Sequence, residues 1–438
     1  MLRSQVELLR RPPARLFFLA HAQSALGTGA AYVGLLVLAY ERFRSPWAIT
    51  LVLLADLVPA MLLGPVFGAA ADRWSRRLGA VVADAARASA FLALAVVDSF
   101  AATVGLALVA GGGTALFRPA ALAGLPSLAG RTHLPAATAL FGALDDLGFL
   151  LGPALAAGVL ALASPEALMA ANGTSFALSA LLLARLRFGE RPTAERGRRR
   201  PSLLAEARHG LLATARTPGV RVVALATSGV LLFAGIFNVA ELLLATEELG
   251  TSSAGYSLLV AAFGLGIVAG SLSGGQRGDP AALKRGFLLG LLLAGLGFAA
   301  SALAPTIAVA LATFALAGGG NGLMLVHQRL LLQTAVPDAL LGRTLGVTDT
   351  LSSWSFASSY LAGGAIVALA GVRPAILVAG TGTFCVWATA ALALSGSWPK
   401  IRRPPQEASS ATTRTTAPAR GNQTAPSAER DVLPRSSR

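Results

Sequence analysis

Asp145 and Asp146 stand side by side in a stretch, 137–163, that is otherwise apolar. Neighbouring residues on a helix point ~100° apart, so the two carboxylates cannot both face lipid cheaply. One is expected to face an interior cavity, where it can take up and release a proton. Arg118, late in the preceding apolar stretch, is the expected partner, and a static bridge between two helices is the competing reading. Glu241 with Asn238, and Asp56, are further polar groups inside apolar stretches. They are candidates for binding a substrate or closing an outer gate, with an interfacial charge as the alternative for Glu241. Asp84 and Arg87 are three residues apart, the spacing of a structural ion pair on one helix face. Asp349 opens a later apolar stretch and is a candidate gate residue.

These side chains need a scaffold, and the composition says which. Hydrophobic residues make up 54% of the 438-residue chain and charged residues 13%, well below the ~25% charge of soluble domains. A soluble core could not hide so much apolar surface, so lipid must cover the rest. Stretches long enough to cross the hydrocarbon occur at 16–39, 47–71, 78–97, 100–125, 137–163, 166–186, 219–245, 252–275, 284–303, 306–332, 344–370 and 374–396. The fold class expected is therefore all-α, with about twelve transmembrane helices in two pseudo-symmetric six-helix halves. The first apolar stretch follows Arg3, Arg10, Arg11 and Arg15 and is read as a retained helix rather than a cleaved leader.

Arginine placement orients the chain. One set of connections holds the N-terminal arginines, Arg73, Arg76, Arg77, Arg131, ten basic residues between positions 185 and 221, Arg277, Lys284, Arg285, Arg343 and the tail. The alternate set holds only Arg42, Arg44 and Arg373. Both termini are thus expected in the cytoplasm of a multi-pass cell-membrane protein. The expected organisation is a cytoplasmic N-terminus (1–15), a first half (16–186), a linker (187–218), a second half (219–396) and a disordered cytoplasmic tail (397–438). Within the linker, Leu203, Leu204, Ala207 and Leu211 fall on one helical face, as in a helix lying on the membrane surface, although a plain tether fits too.

Several chemistries are set aside. Cys385 is the sole cysteine and the four histidines (His21, His133, His209, His327) lack metal-ligand spacing, so no metal site is expected. The glycine clusters at 111–113 and 318–322 lie inside spans and no Gly-Lys-Ser/Thr follows, which argues against a phosphate loop. The net charge of +15 resides in membrane-flanking loops rather than on a stacking platform, so nucleic acid is not an expected partner.

Between the second and third stretches the chain reads Gly68-Ala-Ala-Ala-Asp72-Arg73-Trp74-Ser75-Arg76-Arg77. It resembles the Gly-x-x-x-Asp-Arg-x-Gly-Arg-Arg signature of the major facilitator superfamily, with Ser75 in place of the second glycine. The resemblance implies a cytoplasmic gate built from Gly68, Asp72, Arg73, Arg76 and Arg77, meeting the helix that begins near Arg343 and Thr344; Asp349, at the start of that span, is the gate candidate there. Gly148, Gly152 and Pro153 resemble the superfamily's exporter-type Gly-x-x-x-Gly-Pro element, with ordinary small-residue packing as the rival reading. The runs around Arg118-Pro119, Leu125-Pro126 and 336–343 resemble the branch of enterobactin exporters and macrolide efflux proteins.

Together these features lead us to expect a secondary transporter, without cofactor, that exports a small organic molecule by alternating access. Its energy source is expected to be the proton gradient, and it is expected to work as a monomer. Facilitated uptake by a uniporter, and a membrane-embedded enzyme, are the alternatives carried forward.

Overall fold

A computed structural model describes residues 2–71, 75–186, 208, 211–212, 214–273 and 279–396. A short helix α1 (Leu2–Leu9) precedes α2 (Pro12–Phe43), α3 (Pro46–Ala71) and α4 (Arg76–Leu94). Helices α5 (Phe100–Gly130) and α6 (Thr132–Leu162) follow, separated at Gly130, whose φ of 73° suits a residue without Cβ. Then come α7 (Pro165–Ala184), α8 (Pro218–Leu243, extended by a π-turn at Leu244–Glu248), α9 (Ser253–Ser273), α10 (Pro280–Ala302), α11 (Ile307–Ala335), α12 (Asp338–Ala370) and α13 (Val372–Gly396). Proline opens α2, α3, α7, α8 and α10, where its missing N–H has no helical partner to lose.

Among the described residues, 11 helices are long and apolar enough to cross a membrane. α4 falls in the place of the expected third span but carries Arg76, Arg77, Asp84 and Arg87 within its 19 residues. Two of those charges, Asp84 and Arg87, pair inside the bundle. Leu151, Leu181, Leu272, Leu369 and Leu392 are exposed, an apolar exterior that suits lipid. Most of the 187–218 linker, and the tail from 397, lie outside the described residues. α12 begins at Asp338, six residues before the expected stretch, because Pro337 starts the helix while the polar first turns are still outside the apolar run.

Glycines set the helix pairings. A Cβ on Gly29 of α2 would meet the Gly148 backbone of α6, and one on Gly152 would meet Gly29. In the same way Gly111 of α5 abuts the Asp56 backbone of α3, and Gly173 of α7 abuts α4 at Leu92. The second half repeats the plan: Gly235 of α8 meets Ser359 of α12, Gly318 and Gly322 of α11 meet Phe263 and Ile267 of α9, and Gly380 of α13 meets Ala299 of α10. The two glycine clusters are therefore helix-packing surfaces.

The core is divided in a telling way. At the end bearing the arginine-rich connections, hereafter the basic face, two separate apolar clusters form. One contains Phe17, Ala121 and Leu183, the other Val223, Phe287 and Leu331. Toward the opposite face a single cluster spans α2 to α13, including Leu36, Ile49, Leu243 and Ile376. The halves are joined at the arginine-poor face and apart at the basic face. Two of the few arginines at the arginine-poor face cap equivalent helix ends. Arg42 donates to Leu94 O (3.1 Å) and to Val97 O just beyond α4; Arg373 donates to Ala302 O (2.7 Å) and Ala304 O (3.2 Å) at the end of α10.

Candidate functional site

Asp56, Tyr32 and Tyr360 each lie ten or eleven residues from the arginine-poor ends of α3, α2 and α12, hence roughly 15 Å below that face at ~1.5 Å per residue. Tyr32 interacts electrostatically with Asp56, Glu241 and Tyr360, and Tyr256 interacts with Glu241, Tyr32 and Tyr360. Five helices (α2, α3, α8, α9 and α12) thus converge on one polar cluster inside a largely apolar bundle. Asp56 is exposed, yet Tyr32 of α2 and Tyr360 of α12 interact with it electrostatically, so the space it faces lies inside the helix ring. No hydrogen bond or ion pair to Asp56 occurs among the described residues.

Glu241 is buried (5% exposed) and accepts a hydrogen bond from the Tyr256 hydroxyl at 3.1 Å. An interfacial position for it is therefore corrected: the turn of α8 turns it inward, and Tyr256 meets its carboxylate. Asn238, half-buried one turn earlier, hydrogen-bonds Tyr360. The three tyrosines were not singled out by sequence, since nothing about an isolated tyrosine in an apolar run marks the direction it faces.

A second polar group lies nearer the basic face. His21 Nε2 of α2 is 3.2 Å from an Asp145 carboxylate oxygen of α6. The imidazole is buried and stacks on Phe141 with ring centroids 4.0 Å apart; Asp145 is half-exposed. The expectation that Arg118 would partner the aspartate pair is corrected here. Arg118 is exposed and interacts with Asp349 of α12, as does Arg329 of α11. Helix rotation explains the difference, because Asp145 points toward α2 while Asp146 is exposed beside it.

The i,i+3 pair on α4 forms as expected from its spacing. Asp84 and Arg87 are both buried and joined by a salt bridge. Ser179 of α7 donates a 2.6 Å hydrogen bond to Asp84, and the Arg87 guanidinium carbon lies 4.5 Å from the Phe117 ring centre and 4.2 Å from that of Phe176.

Of the gate residues, Asp72 and Arg73 lie outside the described residues. Gly68 falls in the last turns of α3, while Arg76 is half-buried and Arg77 exposed at the start of α4. Ser75, the departure from the signature, serves as the N-cap of α4, its Oγ accepting from Leu78 N at 3.4 Å. Asp349 is exposed on the basic side. Gly148, Gly152 and Pro153 lie on α6 against α2, and both glycines meet its backbone, so the small-residue packing read from sequence is present.

The arginine-poor face is held shut by contacts between the halves. The Tyr40 hydroxyl donates to Glu247, Ser253 donates to Glu41 at 2.5 Å, and Thr50 donates to Tyr360 O at 3.3 Å. A cleft of about 370 Å³, lined by Tyr40, Glu41, Arg44, Thr246 and Ser253 among others, lies at this seam. On the basic side Arg118, Asp146, Arg329 and Asp349 are all exposed. The molecule is therefore closed at one face and open toward the other. No cluster of three or more metal-binding side chains occurs among the described residues.

The family described as transmembrane secretion effector matches residues 4–417. An MFS-type transporter of Bacillus subtilis (strain 168), YfiS, is 26% identical over 365 residues, covering 82% of this chain and 87% of its own. The multidrug efflux pump Tap of Mycolicibacterium fortuitum is 25% identical over 359 residues, covering 78% and 86%. Among solved structures, a bacterial homolog of the human lysosomal transporter Spinster, inward-facing and unoccupied, superimposes with a TM-score of 0.68 at 14% identity, over 90% of this chain and 99% of that one. The nucleoside transporter NupG gives 0.68 at 13%, over 87% and 98%. Such identities speak to the fold alone, and the fold is that of the major facilitator transporters.

Proposed function

Since the chain belongs to the transmembrane secretion effector family of major facilitator transporters, and is thus a membrane transporter rather than an enzyme, we propose that it exports small organic molecules in exchange for protons. The observation that carries this reading is the His21–Asp145 pair. An acid and a base at 3.2 Å, buried on one side and reachable from the open cavity on the other, can hold a proton and give it up as the cavity changes face. The export direction is supported by the likeness to Tap and by the Gly148–Gly152–Pro153 element, and on the same ground the enterobactin and macrolide efflux branch is the proposed placement.

In this reading the basic face is cytoplasmic, as the arginine distribution supports, and the protein sits in the cell membrane. The halves 16–186 and 219–396 rock about the Tyr32–Asp56–Glu241–Tyr360 cluster, joined by the 187–218 linker, and one copy suffices. Substrate enters from the open basic side and meets Asp56, Asn238 and the tyrosines. Closing that side draws the signature residues, with Asp72, Arg73, Arg76 and Arg77 as the proposed gate, toward Asp349, which already interacts with Arg118 and Arg329, while the Tyr40–Glu247 seam parts.

The test uses purified protein in liposomes with an imposed pH gradient and fluorescent organic compounds as probes. Uphill movement that collapses with the gradient, and is lost in Asp145→Asn, is expected. Probe flux indifferent to the gradient, and intact in Asp145→Asn with Asp146→Asn, would establish a uniporter instead.

A further inference from the structure

Phe149 is 67% exposed near the middle of α6, and its ring centre lies 6.3 Å from that of Tyr32 on α2. The direction it faces follows from its neighbours on the helix. Gly148 and Gly152 meet the α2 backbone at Ala25 and Gly29, and Leu150 is met by Gly264 of α9. At ~100° per residue from Gly148, those contacts set α2 at about 20° and α9 at about 200° around the α6 axis. Two open sides remain. Leu147 and Leu151 lie at ~260° and ~300° on one of them, both exposed, as suits lipid. Asp145, Phe149 and Asp146 lie at ~60°, ~100° and ~160° on the other. Asp145 there meets the buried imidazole of His21, so this side looks into the bundle. Phe149 is a large apolar ring turned into the open cavity.

A ring exposed in a water-filled cavity gains from a partner that covers its face. Tyr32 covers one flank only, tilted by 41°. The charge beside the ring is Asp146, three residues earlier and so its neighbour one turn toward the basic face. Asp146 is exposed, and no hydrogen bond or ion pair holds it among the described residues. Asp145 differs, being engaged by His21. The arginines of the open side do not answer Asp146 either: Arg118 and Arg329 interact with Asp349 of α12. A ring face with a free carboxylate beside it is complementary to a flat aromatic group that carries a positive charge. The two residues flank the midpoint of α6 (Thr132–Leu162), the depth at which transporters built from repeats hold their substrates.

We propose that Phe149 and Asp146 select the transported molecule as an aromatic cation, Phe149 stacking on its ring plane and Asp146 pairing with its charge. The two adjacent aspartates then have separate tasks, Asp145 with His21 for the proton and Asp146 for the substrate. The inference rests on reading the open cavity as the substrate path, and it adds the substrate class and the residues that select it.

Three probes separate ring from charge: ethidium has both, phenanthridine is the same ring system without the fixed charge, and tetrabutylammonium has the charge alone. Their binding to the full-length protein in lipid nanodiscs is measured by equilibrium dialysis at one pH, with empty nanodiscs subtracted. The parent should bind ethidium more tightly than either of the others. Asp146→Asn should weaken ethidium by about tenfold and leave phenanthridine within about twofold. Phe149→Leu should weaken ethidium by about tenfold and leave tetrabutylammonium within about twofold, and Phe149→Met serves if the leucine variant does not fold. Phe149→Trp keeps the ring and Asp146→Glu keeps the charge, so both should retain ethidium, as should Leu151→Ala on the lipid side of α6. Ethidium bound no more tightly than the other two probes overturns the proposal. So does an ethidium affinity that ignores Asp146→Asn or Phe149→Leu, or a loss shared equally by all three compounds. Because no gradient is used, the expected binding pattern alongside gradient-independent flux would reject proton exchange and leave this site standing. Gradient-driven flux without the pattern would do the reverse.

Discussion

His21 and Asp145 lie 124 positions apart in the chain and 3.2 Å apart in the bundle, the imidazole buried against Phe141 and the carboxylate half-exposed. Each is ordinary alone. Together they form the acid–base pair within the first half that the open side can reach, and they make the first expectation specific. His21→Gln keeps a hydrogen-bonding side chain but cannot charge. It should abolish stimulation of uphill transport by a pH gradient while leaving probe counterflow within about threefold of the parent, since counterflow needs no net proton movement. Equal loss of both activities would mean that His21 only packs against Phe141.

Arg87 and Asp84 test how a buried ion pair behaves. Arg87→Ala leaves Asp84 without its counter-charge, which should cost about 3–5 kcal/mol. Replacing both, as Arg87→Gln with Asp84→Asn, should recover most of that, because no bare charge remains. Thermal unfolding of the detergent-solubilised protein, followed by its near-ultraviolet signal, distinguishes the two; a double variant no more stable than the single one would contradict the account.

The contact of α2 with α6 sets a steric expectation. A Cβ at Gly148 meets the Ala25 carbonyl and one at Gly152 meets the Gly29 backbone, neither of which can move aside as a side-chain end would. Gly148→Val or Gly152→Val should destabilise by about 1–3 kcal/mol. Gly158, with open space around the same construction, should accept alanine with a gain of roughly 0.5 kcal/mol. Melting curves of the three variants side by side make the comparison internal.

At the arginine-poor face, Tyr40→Phe removes the hydroxyl that Glu247 accepts. A hydrogen bond to a carboxylate contributes about 1.5–3 kcal/mol, so the closed seam should lose population by about tenfold or more. Spin labels placed on α2 and α9 near this face, read by pulsed dipolar spectroscopy, should show a larger open fraction than in the parent. Glu247→Gln should fall between the two.

Chain order and helix number were legible from residue types because crossing a membrane is a one-dimensional demand: a length of apolar chain, bounded by charge. The expected stretches and the observed helices agree at most ends for this reason, as at 219–245 against Pro218–Leu243. The Asp84–Arg87 pair was also legible, since a spacing of three on a helix already makes two residues neighbours. Close approach at Gly148 and Gly152 was legible too, though the partner helix was not.

Other features required the fold. Whether Asp145 meets Arg118 or His21 depends on the rotation of α6 about its axis, and a turn of ~100° per residue separates the two outcomes. The inward turn of Glu241, the gathering of Tyr32, Tyr256 and Tyr360 around it, and the use of Arg42 and Arg373 to cap α4 and α10 depend on which helices touch. The amino-acid sequence by itself determined that this is a polytopic helical membrane protein with a signature of one transporter superfamily. Only the tertiary structure decided which of its interior charges face each other, because that choice is made by side-chain packing between helices far apart in the chain.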